Sequence, residues 1–175
     1  SLDGTPVRHL HATGGEATLV PELPAMVRHA RDNGIPHVSI TSNGATAWSQ
    51  LEALVDGGLT EIRISVDAHE PVRGDQLAGR AEAWRRAVAN LERLVRLRAV
   101  HPSFFLIANT VITPANRAAI AHILRFLLTL GVDDIKLIAS VDDTSALGRF
   151  SEATQLLDEV HERLRAVEAG AFPLL

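Results

Sequence analysis

The chain has 175 residues, of which 46% are apolar, and a formal charge of −4. That length suits a single domain spanning 1–175, and the apolar content excludes a disordered segment. The acidic balance argues against a nucleic-acid binder held by charge, and the absence of cysteine excludes disulfides, thiolate metal sites and thiol nucleophiles within these residues.

The apolar runs are short and broken by charge or glycine, so no membrane span is expected. No secretory signal is visible, and a cytoplasmic location is expected.

Five β-rich runs alternate with five amphipathic segments. Val7–Ala12 is the first run. Leu23, Met26, Val27 and Ala30 then recur at helical spacing, with Pro21 and Pro24 suited to a first turn and Asn33-Gly34 to its end. His37–Thr41 is the second run, followed by a helix around Leu51, Leu54 and Val55 that stops at Gly57-Gly58. The third run, Glu61–Val66, leads into a long loop, Asp67–Gly79. A long helix carrying Trp84, Val88, Leu91, Val95 and Leu97 follows. Phe104–Ile112 is the fourth run. Thr113-Pro114 offers an N-cap and an N1 proline for a helix bearing Ile120, Ile123, Leu124, Leu127 and Leu128, which Gly131 closes. Asp134–Ala139 is the fifth run. Ser151 can cap a last helix, 151–169, with Leu156, Val160, Leu164 and Val167 on one face.

This alternation predicts an α/β fold with a parallel sheet. The strand faces refine it. In a flat doubly wound sheet both faces are covered by helices, so both read apolar. Here Ile62, Ile64 and Val66 oppose Arg63, Ser65 and Asp67, and Val38 and Ile40 oppose Ser39, Thr41 and Asn43. One face meets helices and the other lines something polar. The expectation is a partial barrel with one outer helix layer and a wet interior.

Ligands in parallel α/β folds bind beyond the carboxyl ends of the strands. The first such loop is Thr13-Gly14-Gly15-Glu16. Its glycines allow a sharp turn and close approach of a ligand to the main chain, and Glu16 suits a helix N-terminus. An ordinary tight turn explains the same residues. Ser42-Asn43-Gly44 offers a hydroxyl and an amide, or simply a turn. Ser65 and Asp67 could bind sugar hydroxyls, or be a lumenal serine and a turn aspartate. Asn109 in an apolar strand either meets a ligand or ties strands together. His9 and His11, two apart on one face, suit a metal pair or two half-exposed residues. Lys136, the only lysine, is a candidate Schiff-base amine or an ordinary strand residue. Arg73 and Arg80 lie in a stretch that could cover a ligand.

The order of these motifs is more specific than any one of them. Thr13-Gly14-Gly15-Glu16 precedes Ser39-Ile40-Thr41-Ser42-Asn43-Gly44, then Glu61-Ile62-Arg63-Ile64-Ser65-Val66-Asp67, Ala108-Asn109-Thr110-Val111-Ile112-Thr113 and Leu130-Gly131-Val132-Asp133-Asp134-Ile135-Lys136. Over residues 7–140 this resembles the core of radical S-adenosylmethionine enzymes, in the branch of molybdenum-cofactor cyclisation enzymes and peptide maturases. The resemblance implies about five of the six βα units of that barrel, entered at the second strand. It implies that Gly14, Gly15 and Glu16 receive the amino end of S-adenosylmethionine. Ser42 and Ser65 would lie near the ribose or methionine, with Asn43 and Asp67 counted among the cofactor-binding residues, and Asn109 and Val111 would flank the adenine, with Leu137–Ala139 approaching it from the next strand.

Two positions depart from the family pattern. A proline after Gly-Gly-Glu is Ala17 here, and an Arg-Gly pair reads Ala78-Gly79. The CxxxCxxC segment that holds a [4Fe–4S] cluster in the family is absent, so the cluster cannot be bound by these residues.

The resulting expectation is a truncated radical S-adenosylmethionine enzyme acting on an unknown substrate, inactive as this chain, with weak cofactor binding and self-association through the exposed strand Val7–Ala12. The alternatives are a cysteine-free binding or scaffold domain of the same fold and a metal-dependent barrel hydrolase using His9 and His11.

Overall fold

A computed structural model describes residues 7–139 together with Asp158, Glu162 and Arg165. Apart from those three exposed helical positions, the predicted helix 151–169 lies outside the described residues. The strands are β1 (His9–Ala12), β2 (His37–Ser42), β3 (Glu61–Ser65), β4 (Phe105–Ile112) and β5 (Asp134–Ala139). The α-helices are α1 (Leu23–Asp32), α2 (Trp48–Asp56), α3 (Pro71–Ala78), α4 (Ala83–Arg98) and α5 (Ile120–Leu130).

All strand pairs are parallel and the sheet order is β1-β2-β3-β4-β5. A strictly consecutive order has no topological switch point, unlike a doubly wound sheet. Right-handed crossovers then place every helix on the same face, and the sheet curls around the other. The core agrees. Val38, Ile40, Ile62, Ile64, Leu106 and Ile112 from the strands join Leu51, Leu54, Leu91, Leu94, Ile123 and Leu127 from the helices in one buried cluster. Ile40, Ile62 and Ile64 have no exposed surface. Burying such a side chain contributes about 1.5–3 kcal/mol, which fixes which face of each strand turns inward.

The concave face carries the other set. The register aligns His11 with Ser39 and Ser39 with Glu61. One step up, Thr41 meets Arg63, and Arg63 meets Ile107, which faces Asp134. A further step up, Ser65 meets Asn109, and Asn109 meets Lys136. The polar alternation in the sequence is therefore the lining of a half-barrel.

Two local expectations change. The stretch expected as a loop between Asp67 and Gly79 contains α3. Gly74 lies inside that helix, where a Cβ would lie 2.1 Å from Cδ1 of Trp84. The glycine admits the indole rather than breaking the helix. The second change concerns Thr113-Pro114, which does not cap α5. Asn116 Oδ1 accepts from the Thr113 amide at 2.8 Å, a 3-10 turn follows at Arg117–Ala119, and α5 starts at Ile120.

Candidate functional site at the strand ends

The residues proposed from sequence form an arc across the carboxyl ends of four strands. Gly14 has φ +122°, a backbone open to glycine and strained for other residues, and a Cβ at Gly14 or Gly15 would meet nothing within 4 Å. This turn faces open space.

Glu16 is fully engaged. Its Oε1 accepts from the amide and hydroxyl of Thr18 at 3.1 and 2.7 Å, which caps the short 3-10 helix Ala17–Leu19. Its Oε2 accepts from the Asn43 amide at 2.7 Å. The carboxylate thus joins the first loop to the second. Inside the second loop, buried Ser42 Oγ accepts from the Gly44 amide at 3.0 Å, and Asn43 Oδ1 accepts from the Ala45 amide at 2.9 Å. Both are turn-forming contacts. From α4, the buried Asn90 Nδ2 donates to the Gly44 and Thr46 carbonyls at 2.8 and 3.0 Å.

Asp67 is a strand-end staple. Its Oδ1 accepts from the Val111 amide at 2.7 Å. Burial raises its pKa above the usual carboxylate value, partly offset by that amide. Asn116 completes the tie, donating to the carbonyls of Asp67 and Val111 at 3.0 and 2.9 Å.

Asn109 differs from these. It is 5% exposed and, among the described residues, its Oδ1 has no hydrogen-bond partner. An unpartnered buried acceptor costs about 1–3 kcal/mol, which a hydrogen-bond donor on a ligand would recover.

Asn43, Ser65, Asp67 and Arg80 contribute polar edges to a cavity of about 190 Å³, with Leu77, Ala83, Trp84 and Val88 among its apolar walls. Trp84 Nε1 donates to the Ala68 carbonyl at 2.8 Å, and its ring stacks on Phe126. Of the two arginines singled out in this stretch, Arg73 donates to the Ala115 carbonyl, whereas Arg80 lines the cavity.

His9 and His11 lie deeper in the half-barrel, below the strand ends. His9 Nε2 and His11 Nδ1 both lie 2.7 Å from Ser39 Oγ, so that hydroxyl donates to one ring and accepts from the other. Among the described residues no group of three or more His, Cys, Asp or Glu side chains is arranged to hold a metal. Lys136 projects from the concave face beside Asn109.

Asn90 and Asn116 were not singled out from sequence. Their partners lie 44 to 49 residues away, except for the local Val111 and Thr113 contacts of Asn116, so no short motif marks them.

Fold and geometry together define a parallel half-barrel domain with an arc of candidate binding groups at its strand ends. Comparison with known proteins supplies the family. The Radical SAM superfamily profile matches residues 2–127. A probable GTP 3',8-cyclase of Sulfolobus acidocaldarius is 30% identical over 174 residues, covering 91% of this chain and 54% of that protein. A PqqA peptide cyclase of Methylobacterium nodulans is 30% identical over 125 residues, covering 71% of this chain and 32% of its own length. SuiB of Streptococcus suis, in its S-adenosylmethionine-bound crystal structure, superposes with a TM-score of 0.70 at 15% identity, covering 91% of this chain and 36% of that one. The fold is therefore shared with that enzyme. The chain belongs to the radical SAM superfamily. It spans about half the length, or less, of these curated relatives.

Proposed function

We propose that this chain is the S-adenosylmethionine-binding portion of a radical SAM enzyme. The observation that carries the reading is the arc of strand-end groups, which ends in the open Gly14-Gly15 turn on one side and the unpartnered Asn109 acceptor on the other. The cofactor is an elongated zwitterion with a donor-rich nucleoside. Its ammonium suits main-chain carbonyls at Gly14 and Gly15. Its carboxylate suits the Arg80 guanidinium across the cavity from Asn43 and Ser65. Asn109 and Val111 lie where the nucleoside would end, and the Asn109 acceptor can take a ribose or adenine hydrogen. When bound and reduced, this cofactor supplies the radical that starts the family's chemistry; the chain's own groups bind and orient it.

Glu16, Ser42 and Asp67 act through the backbone. They spend their oxygens on loop amides and so fix the positions of the groups that face the ligand. The cluster is a separate matter. These residues include no cysteine, so thiolate ligation of a [4Fe–4S] cluster cannot come from them.

The test uses the full-length gene product, prepared anaerobically with iron and sulfide. Reductant-dependent release of methionine and 5′-deoxyadenosine, lowered by Arg80→Met and Asn109→Leu, is the expected result. No cofactor cleavage with a fully loaded cluster overturns the reading. The lack of cysteine favours one second reading, a cysteine-free binding domain of the same fold. That reading requires a full-length product that takes up no iron but still binds S-adenosylmethionine.

A further inference from the structure

The outer helical layer carries a feature separate from the strand-end arc. An open groove of about 400 Å³ lies between α2 and the end of α4, lined by Trp48, Arg93, Arg96, Leu97 and Val100. Arg93, Arg96, Leu97 and Val100 recur at i, i+3, i+4 and i+7, so α4 and the residues just after it present them on one face. That face lies beside the buried stripe of Ala87, Leu91 and Leu94, and the groove therefore borders the core. Trp48 is the first residue of α2 and packs partly against that core. The Arg93 guanidinium stands over its ring, 5.5 Å from the centroid. Val100, 72% exposed, carries the apolar wall onto the surface.

The polar groups of this groove are all donors. Trp84, the other tryptophan, gives its N–H to the Ala68 carbonyl. Trp48 Nε1 has no hydrogen-bond partner among the described residues. Other arginines of the helical layer are engaged: Arg85 with Glu82, Arg98 with Asp133, and Arg31 with the Ile35 and Pro36 carbonyls. Among the described residues Arg93 and Arg96 have neither an ion pair nor a hydrogen bond. The carboxylates of α2 and α4 do not neutralise them. Asp56 faces His101 at 3.8 Å, and Glu52 and Glu92 pair with neither arginine. The groove thus offers an apolar floor, an indole donor and two free guanidiniums, although the chain as a whole is acidic. Its complement brings carboxylates to the rim and an apolar side chain to the indole. A nucleic-acid backbone matches less well, because two charges over an aliphatic floor neutralise few phosphates.

We propose that this groove docks an acidic polypeptide segment of a partner protein. One apolar side chain of that segment anchors on Trp48, Leu97 and Val100, and flanking carboxylates meet Arg93 and Arg96. The Trp48 N–H takes a carbonyl or carboxylate oxygen of the same segment. The surface belongs to the helices and shares no residue with the strand-end arc, so it stands independently of the cofactor reading.

The experiment is selection of peptides from a displayed random library against the full-length gene product, with fluorescence anisotropy of the peptides recovered. Enriched peptides should carry Asp or Glu on both sides of an apolar residue and bind saturably, more weakly with added salt. Arg96→Glu should weaken them by about tenfold or more, because reversal turns an attraction into a repulsion. Trp48→Ala should do the same by removing the anchor. Arg28→Glu, the same charge change at an exposed position of α1, should leave binding unchanged. Trp48 also packs against the core, so Arg96→Glu, at an exposed position, keeps the test decisive if Trp48→Ala fails to fold. Recovery of no peptide that distinguishes the wild type from Arg96→Glu overturns the proposal. So does a preference at this groove for basic or uncharged peptides. A single-stranded oligonucleotide is titrated alongside, and saturable binding of it that Arg96→Glu abolishes, with no acidic peptide bound, would assign the groove to nucleic acid and overturn the proposal as well.

Discussion

The Glu16 carboxylate accepts a hydrogen bond from the Asn43 amide at 2.7 Å, joining two loops 27 residues apart. The same carboxylate holds Thr18 through its other oxygen. The acid of the Gly-Gly-Glu turn is therefore a tie between neighbouring strand ends as well as a helix cap. Glu16→Ala should lower unfolding stability by about 1.5–3 kcal/mol, as expected for losing bonds to an ionised acceptor. Glu16→Gln keeps one acceptor oxygen but turns its NH2 against the other N–H, so it should lose at least half as much. Urea unfolding of the two variants checks this. A Glu16→Gln protein as stable as wild type would show that the tie between the loops contributes nothing.

The two glycine turns should respond in opposite ways. A Cβ on Gly44 would lie 2.8 Å from Cγ2 of Ile64 and 3.2 Å from Cβ of Ala87, at φ +72°. Gly44→Ala should cost about 2 kcal/mol or more, from overpacking and a left-handed backbone together. Gly15→Ala meets nothing within 4 Å and should change stability by no more than about 0.5 kcal/mol. If Gly15 faces the cofactor, its affinity should nevertheless fall in that variant. Paired melting and binding measurements separate the effects; a stable Gly15→Ala protein with unchanged affinity would remove Gly15 from the site.

These contrasts show what the sequence could and could not reveal. The strand faces were legible because period-two alternation is imposed by burial: Ile62 and Ile64 have no choice of side once Arg63 and Ser65 are polar. The order of strand-end motifs was legible for the same reason, since each lies at the end of such a run. The role of Gly74 was not, because its cause is Trp84 packing from the next helix. Asn90 and Asn116 were hidden too. A helical or turn asparagine looks ordinary until folding brings a carbonyl from a distant loop to its amide. The open and satisfied halves of the site were equally hidden. Glu16 and Asn109 both read as candidate ligands, and only the structure shows the first engaged and the second unpartnered.

Asp67 and Asp75 should give opposite pH signatures. Burial raises the Asp67 pKa above its ordinary 3.8. The folded state then holds the proton more tightly than the unfolded state. The stabilisation this gives is fully present below 3.8 and is lost as pH rises through the folded value. Asp67→Asn keeps an oxygen for the Val111 amide without the charge. It should match wild type in acid and gain on it as pH rises to neutrality. Asp75 is the reverse. The Trp84 amide, with the Glu82 amide and Arg85 assisting, lowers its pKa. Its contribution is present above 3.8 and is lost as pH falls through the folded value. Asp75→Asn should therefore be less stable than wild type near neutrality and converge on it in acid. Denaturation midpoints across that range check both; parallel profiles for the two variants would contradict the assignments.

The last prediction concerns the edge of the sheet. β1 pairs with β2 on one side and with no other described strand; Val7 just before it and Leu10 within it are 50% and 39% exposed. An open parallel edge presents a row of unpaired amides and carbonyls, which another chain can extend. We propose that these 175 residues, expressed alone, self-associate through β1. The His37 amide donates to the Arg8 carbonyl, so Arg8, Leu10 and Ala12 turn their backbone groups to β2, while His9 and His11 turn theirs to the open edge. Placing a proline at His11 removes an outward donor and should shift the protein towards monomer. Sedimentation velocity over a concentration series reads the outcome. A concentration-independent monomer for the unaltered chain would show that the edge is already covered in solution. Persistent association of His11→Pro would move the contact away from β1.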